Sequence, residues 1–184
     1  ITMRIPLVKN INLVEQNLPI DPWLLGFLLG DGSFRNTASG SFSTADNEIL
    51  DLISERISSD YKVKSLGSNS GYDYRIANID NTKSFKGTKK GRRKNRYSQS
   101  ILDLGLHDTL SDTKFIPEIY KNGSTKQKEE LIAGLVDSDG YVGGNGNLSI
   151  STSSAQLAKD IQEIIWSLGG IAKITKKYPK YTYK

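Results

Sequence analysis

Along the chain, apolar and polar positions run through the same succession of periods twice. Asp21 is placed to cap a helix with Pro22 at its first position, and the apolar run Trp23 to Leu29 extends that helix until Gly32 interrupts it. The stretch GSFRNTASGSFSTA then alternates polar and apolar residues around glycine, predicting two short strands and a turn. From Asn47 to about Tyr61, Ile49, Leu50, Ile53 and Ile57 share one helical face. Two further strands, YKVKSLG and GYDYRIANI, follow. The order restarts after the helical stretch SQSILDLGLHDTL and the connector KFIPEIYKNGS. Ser124 or Thr125 caps a second helix that Gly140 closes, and YVGGNGNLSISTS supplies two strands. A helix from Ala155 to about Leu168 carries Leu157, Ile161, Ile164 and Ile165, and the strands GIAKITKKY and YTYK complete the series.

The repetition is also literal. LLGFLLGDG (24–32) and IAGLVDSDG (132–140) lie 108 residues apart, and the offset needs no gap. It sets Phe34 on Val142, Phe42 on Ile150, Ser43 and Thr44 on Ser151 and Thr152, Ile53 on Ile161, Val63 on Ile171 and Leu66 on Ile174. Apolar residues fall on apolar residues, which predicts a duplicated unit whose copies meet across a pseudo-twofold axis. The expected fold is α/β (α+β): two pseudosymmetric αββαββ units, with an extra helix in the first. Residues 1–20 read as a lead-in or fragment boundary, 21–123 as the first repeat with a basic loop and connector, and 124–184 as a second repeat that looks truncated.

Charge narrows the chemistry. The net charge is +5 and the pI about 9.2, favouring a polyanionic partner. Eight basic side chains lie in residues 83–96, KSFKGTKKGRRKNR, and removing their charges from +5 leaves −3. That run reads either as a phosphate-binding segment or as a solvated loop. With no cysteine, disulfides, thiolate metal sites and cysteine nucleophiles are excluded, and with His107 the lone histidine, a metal would need oxygen ligands. No apolar run has the length of a membrane span and no signal-peptide pattern opens the chain, so a soluble, intracellular protein is expected.

Both motif helices end in Asp-Gly. Gly26 and Gly30, with their counterparts Gly134 and Ser138, put small residues four apart on one helical face, so the two helices can pack until their backbones nearly touch. Asp31 and Asp139 then meet at the helix ends, with Gly32 and Gly140 expected in the left-handed conformation that closes a helix. Two carboxylates about 4 to 5 Å apart repel by roughly 3 to 4 kcal/mol at an effective dielectric of 20, and the helix C-termini add negative potential. A hard divalent cation held by Asp31, Asp139 and the carbonyls of Gly30 and Ser138 would relieve this, and Mg²⁺ (or Mn²⁺) suits an oxygen set that also takes phosphate. Such an ion can polarise a phosphodiester and activate water. The bland alternative is that each aspartate simply caps a turn.

These motifs resemble those of the LAGLIDADG homing endonucleases, and KFIPEIY followed by KQKEELIAGLVDSDGYV is especially similar to the endonuclease domains found inside inteins. The likeness covers roughly residues 21–184. It implies site-specific cleavage of double-stranded DNA with a staggered break, by a monomer, with Asp31 and Asp139 as the metal-binding catalytic residues. In intein-type members a lysine before the isoleucine-proline lies near the scissile phosphate, and Lys114 matches it. The first motif departs from the family in Leu29 and Gly30, where aspartate and alanine are usual. The counterpart of Lys114 at the same offset would fall near position 222, past residue 184. The family also includes RNA-binding intron maturases and inactive DNA-binding regulators. With no cysteine and no terminal His-Asn pair, any splicing domain is expected outside these residues.

On this reading the strands form a saddle over duplex DNA. Candidate contacts are Arg35, Ser41, Ser43, Lys62, Lys64, Tyr72, Tyr74 and Arg75 from the first unit, and Asn147, Ser149, Ser151, Lys173, Lys176, Tyr181 and Tyr183 from the second. Lys86, Lys89, Lys90, Arg92, Arg93, Lys94 and Arg96 of the basic run are expected on phosphates, adding affinity without sequence preference.

Overall fold

A computed structural model describes residues 9–35, 41–67, 71–79, 96–144 and 146–178. The fold is mixed α/β with antiparallel sheets, as expected. Helix α1 (Pro22–Asp31) begins at Asp21, whose carboxylate accepts from the Leu24 amide at 3.0 Å. It is apolar on every side because it is covered on every side: all seven residues from Trp23 to Leu29 are buried. Strands β1 (Gly32–Ser33), β2 (Ser41–Ser43), β3 (Tyr61–Ser65) and β4 (Asp73–Asn78) form one antiparallel sheet in the order β1, β2, β4, β3. Phe42, Tyr74, Ile76 and Val63 turn inward from it. Stacked and edge-on rings, Trp23 on Phe27, Phe27 on Phe42 and Phe42 on Tyr74 at 5.6 to 5.9 Å, tie α1 to that inner face.

Helices α2 (Asn47–Arg56), α3 (Arg96–Asp103) and α4 (Glu118–Lys121) complete the first part, and α5 (Thr125–Asp139), β5 (Gly140–Val142), β6 (Leu148–Ile150) and α6 (Ala155–Ser167) the second. Ser124 rather than Thr125 caps α5, in a reciprocal box with Gln127. Among the described residues, no helix is long and apolar enough to cross a membrane. The lead-in is docked on α4, α5 and the end of α6. Gln127 exchanges two hydrogen bonds with the Gln16 backbone (2.9 and 2.6 Å), the Ile11 amide donates to the Ser167 carbonyl at 2.9 Å, and Tyr120 Oη bonds both backbone groups of Ile20.

Helices α1 and α5 run parallel with touching backbones. A Cβ on Gly26 would lie 2.1 Å from the Leu131 carbonyl oxygen, and one on Gly134 would lie 2.0 Å from the Trp23 carbonyl oxygen. The contact is reciprocal, since Gly134 and Leu131 are Gly26 and Trp23 moved by the 108-residue offset.

Three expectations are corrected. Gly32 and Gly140 are extended, with φ/ψ of −81/153° and −83/150°, not left-handed. Their lack of a side chain serves space: a Cβ at either would meet the carbonyl of the preceding turn, Leu28 or Val136, at 2.3 Å. Left-handed glycines instead close α3 and α6, at Gly105 (φ 73°) and Gly169 (φ 82°), with the paired reversed hydrogen bonds of a Schellman end. Second, α2 stops at Arg56, short of Tyr61, because Tyr61 opens β3 opposite Asn78. Third, residues 170–178 form no strand. The expected strand YTYK (181–184) lies outside the described residues.

Candidate active site

The parallel packing of α1 and α5 brings their C-terminal ends together. At that end a Cβ on Gly30 would lie 2.0 Å from Ser138 Oγ and 3.1 Å from Asp139 Oδ2, so the Asp139 carboxylate sits against the last turn of α1, one residue from Asp31. Both aspartates are exposed to solvent, on the surface that a ligand would approach. Burial raises the pKa of Asp31 above the ordinary carboxylate value, and the neighbouring Asp139 raises it further; burial also raises that of Asp139. A fixed positive charge opposes both shifts, and it is Lys114.

Lys114 enters from the connector and is only 5% exposed. Its ammonium donates to the carbonyls of Leu29, Gly30 and Gly32 at 2.8, 2.9 and 2.8 Å, with Leu28 O at 3.4 Å, and lies 5.5 Å from the centre of the Phe34 ring. A cation on the unsatisfied carbonyls of a helix C-terminus is favourable. All three of its donors are thereby engaged, and no other lysine among the described residues caps α5 in this way. The family resemblance alone singled out Lys114, as a residue expected beside the scissile phosphate; its seat in the helix end is information that only the fold supplies.

Burial pulls the Lys114 pKa down to about 8, against the pull of Asp139 and Asp31. The unfolded lysine holds its proton up to about 10.5, so between about 8 and 10.5 the unfolded chain binds more protons and stability rises with pH. In chelator, wild-type protein should therefore gain more stability than Lys114→Met as pH rises through this window, measured by urea unfolding. An equal gain in both would place the titration elsewhere.

Beside the paired carboxylates lies the outer face of the first sheet. Ser33, Ser41, Arg75 and Lys64 form one row across the four strands, flanked by Ser43 with Asp73 and by Lys62 with Ala77. A depression of about 220 Å³ joins Asp31 to Ser33, Ser41, Ser43 and Asp73. Ser41, Ser43, Lys62, Lys64 and Arg75 thus share the face expected of them, and Arg75 Nε is buried without a hydrogen-bond partner among the described residues. Arg35 and Tyr72 are exposed nearby. Tyr74 is corrected: strand alternation turns it inward, where its ring stacks on Phe42. In the second unit Ser149 pairs with Tyr141, both exposed, with Asn147 and Ser151 also exposed. Lys173 and Lys176 are exposed on an irregular segment rather than on a strand. Tyr181, Tyr183, Lys86, Lys89, Lys90, Arg92, Arg93 and Lys94 lie outside the described residues, as does the side chain of Arg96. Ser33, Asp73 and Tyr141 share these surfaces and were not among the expected contacts. Strand parity, counted from the residues already chosen, would have found them.

Fold and site together define a mixed α/β protein that presents two carboxylates from paired helix ends beside a polar sheet face. Residues 126–184 match the model of the LAGLIDADG-like domain. Over 161 residues the chain is 30% identical to the replicative DNA helicase DnaB of Mycobacterium intracellulare, covering 88% of this chain and 21% of that protein. Over 169 residues it is 25% identical to the homothallic switching endonuclease of Saccharomyces cerevisiae, covering 84% of this chain and 28% of that protein. The chain thus spans less than a third of either relative's length.

Proposed function

We propose that this chain is a site-specific, LAGLIDADG-type homing endonuclease that makes a staggered break in a long double-stranded DNA site. The observation that carries the reading is the pair Asp31 and Asp139 held at touching helix ends beside the polar sheet face. Likeness to a protein named as an endonuclease supports it. Likeness to a fifth of a protein named as a helicase is what an endonuclease embedded in a host protein would show, and supports an intein setting with a splicing domain in the same precursor.

The donor set fits a hard divalent ion. It is all oxygen, two carboxylates with raised pKa and the carbonyl of Ser138, while the expected Gly30 carbonyl is corrected, since it already accepts from the Lys114 ammonium at 2.9 Å; no group of three or more histidine, cysteine or acidic side chains among the described residues offers a competing site. Mg²⁺ or Mn²⁺ held there would supply Lewis acidity toward phosphate and water. The chain's own residues orient and neutralise. The glycine contact fixes the spacing of the carboxylates, Lys114 compensates their charge from beneath, and the row Ser33, Ser41, Arg75 and Lys64 aligns the duplex as a monomer bends its two halves over it.

The direct test is selection of cleaved sites from a randomised plasmid library in Mg²⁺, with Ca²⁺ and chelator controls. A single long, asymmetric site cut only with Mg²⁺ is the expected result. Binding without cutting would make the chain a regulator of the same fold, and preference for structured RNA would make it a maturase. Replacing Lys89, Lys90, Arg92 and Arg93 with glutamine should weaken binding to all sequences alike and flatten the slope of log affinity against log salt by about 3.6 if all four meet phosphates. Titration of binding against NaCl checks this, and an unchanged slope would return the run to a solvated loop.

A further inference from the structure

We propose that Ser154 and Asp160 of α6 are positioning residues for the cleavage reaction, clamping the connector so that Lys114 stays seated on the carbonyls at the end of α1. The role in cleavage rests on the endonuclease reading above. The clamp rests on geometry alone.

Lysine has a long, flexible side chain, so its ammonium stays in a ring of carbonyls only when its backbone is held. Residues 114–117 belong to no helix or strand, and on the near side the Lys114 amide donates to the Leu110 carbonyl at 3.1 Å. The far side is held by α6. Ser154 Oγ donates to the Lys114 carbonyl at 2.6 Å while accepting from the Leu157 amide at 3.1 Å as the cap of α6. Two residues on, the Ile116 amide donates to Asp160 Oδ2 at 2.9 Å. The other Asp160 oxygen accepts from Gln156 Nε2 at 2.9 Å and Lys121 Nζ at 3.5 Å. Ser154 and Asp160 are 1% and 2% exposed.

The duplication shows that this is no leftover of the repeat. At the 108-residue offset Ser154 falls on Asp46, which caps α2 through the Glu48 amide, so capping is shared between the units. Asp160 falls on Leu52, an apolar residue packed against the core. A nearly inaccessible carboxylate stands where the first unit has an apolar residue, and one of its oxygens accepts from a connector amide. A buried charge without such partners would be costly. The second unit thereby sets the position of a cation in the first unit's helix end.

Ser154→Ala and Asp160→Ala test this in the full chain, with Asp160→Asn as the conservative variant that keeps an acceptor. Labelling by an amine-acylating reagent in chelator, read by peptide mass spectrometry, reports Lys114 without cleavage. Lys128, 1% exposed and bonded to Ser167 of α6, reports general loosening. Lys114 should label about tenfold faster in both alanine variants, the equilibrium effect of losing one buried hydrogen bond. Lys128 should not change, and Asp160→Asn should stay near wild type. In strand-resolved plasmid cleavage the alanine variants should share the defect of Lys114→Met, accumulating nicked circles because one strand is cut slowly. Unchanged Lys114 labelling, or equal acceleration at Lys128, overturns the clamp. Seated-lysine loss with both strands slowed alike overturns the role in cleavage. If wild-type protein cuts no DNA, the endonuclease reading fails while the labelling still decides the clamp.

Discussion

Asp31→Asn and Asp139→Asn are each expected to remove double-strand cleavage, lowering the rate by at least about 10²-fold, while leaving DNA affinity in Ca²⁺ nearly unchanged. The magnitude is that of losing one preorganised electrostatic element in a site built around charge. Asparagine keeps the shape of aspartate and removes the negative charge, so helix packing and the sheet face are left in place. Two carboxylates face the one Lys114 ammonium at this end of the helices, so ionised they leave a net negative charge, and burial, joined for Asp31 by its partner, raises the pKa of both. That excess is what a divalent ion would answer. Cleavage assays over a metal titration, with affinity measured separately in Ca²⁺, check the result, and undiminished cutting by either variant would contradict the assignment.

The second large effect concerns stability, and here two principles predict opposite signs. Gly26→Ala and Gly134→Ala replace a poor helix former with the best one, a gain of about 1 kcal/mol in an exposed helix. At these two positions the new Cβ would lie 2.1 and 2.0 Å from the carbonyl oxygens of Leu131 and Trp23. A backbone carbonyl cannot rotate aside, so the helices must separate, and overpacking of this kind costs about 1 to 3 kcal/mol or more. Packing is expected to win, with a net loss of about 2 kcal/mol and a fall of about 4 to 8 °C in Tm for a chain of this size. Gly30→Ala should cost less, because its close neighbour is the Ser138 hydroxyl, which can turn away. The double variant Gly26→Ala with Gly134→Ala should cost less than the two losses added, since the first substitution already opens the interface. Urea unfolding of the three single variants and the double decides the matter; stabilisation by either alanine at 26 or 134 would mean that the helices are not in backbone contact.

The same glycines mark how far sequence reading reached. Their spacing at Gly26, Gly30 and Gly134 predicted close helix packing, because four-residue spacing has one meaning on a helix surface. Gly32 and Gly140 were assigned a left-handed turn, since Asp-Gly after a helix ordinarily signals one. Both are glycine for another reason, the carbonyl of the turn before them, and that crowding exists only in three dimensions. Tyr74 was read as outward because a tyrosine in a strand suits either face. Its register with Phe42 sets its direction, and register depends on a partner strand distant in sequence. Ser154 and Asp160 gave no signal at all, as their partners lie 40 and 44 residues away in a connector without periodicity.

What the sequence alone determined is whatever repeats or alternates along it: the main helices and the strands β1 to β6, the recurrence of the Asp-Gly motif, the small faces of the motif helices and the two acidic ends. Those features are local, and each residue's neighbours in the chain carry the information. The tertiary structure decided which carbonyls receive Lys114, which half holds the connector and which face of the sheet meets solvent beside the carboxylates. Each of these is a contact between segments that chain order leaves far apart, fixed by the collective packing of α1, α5 and α6 rather than by any residue's own preference.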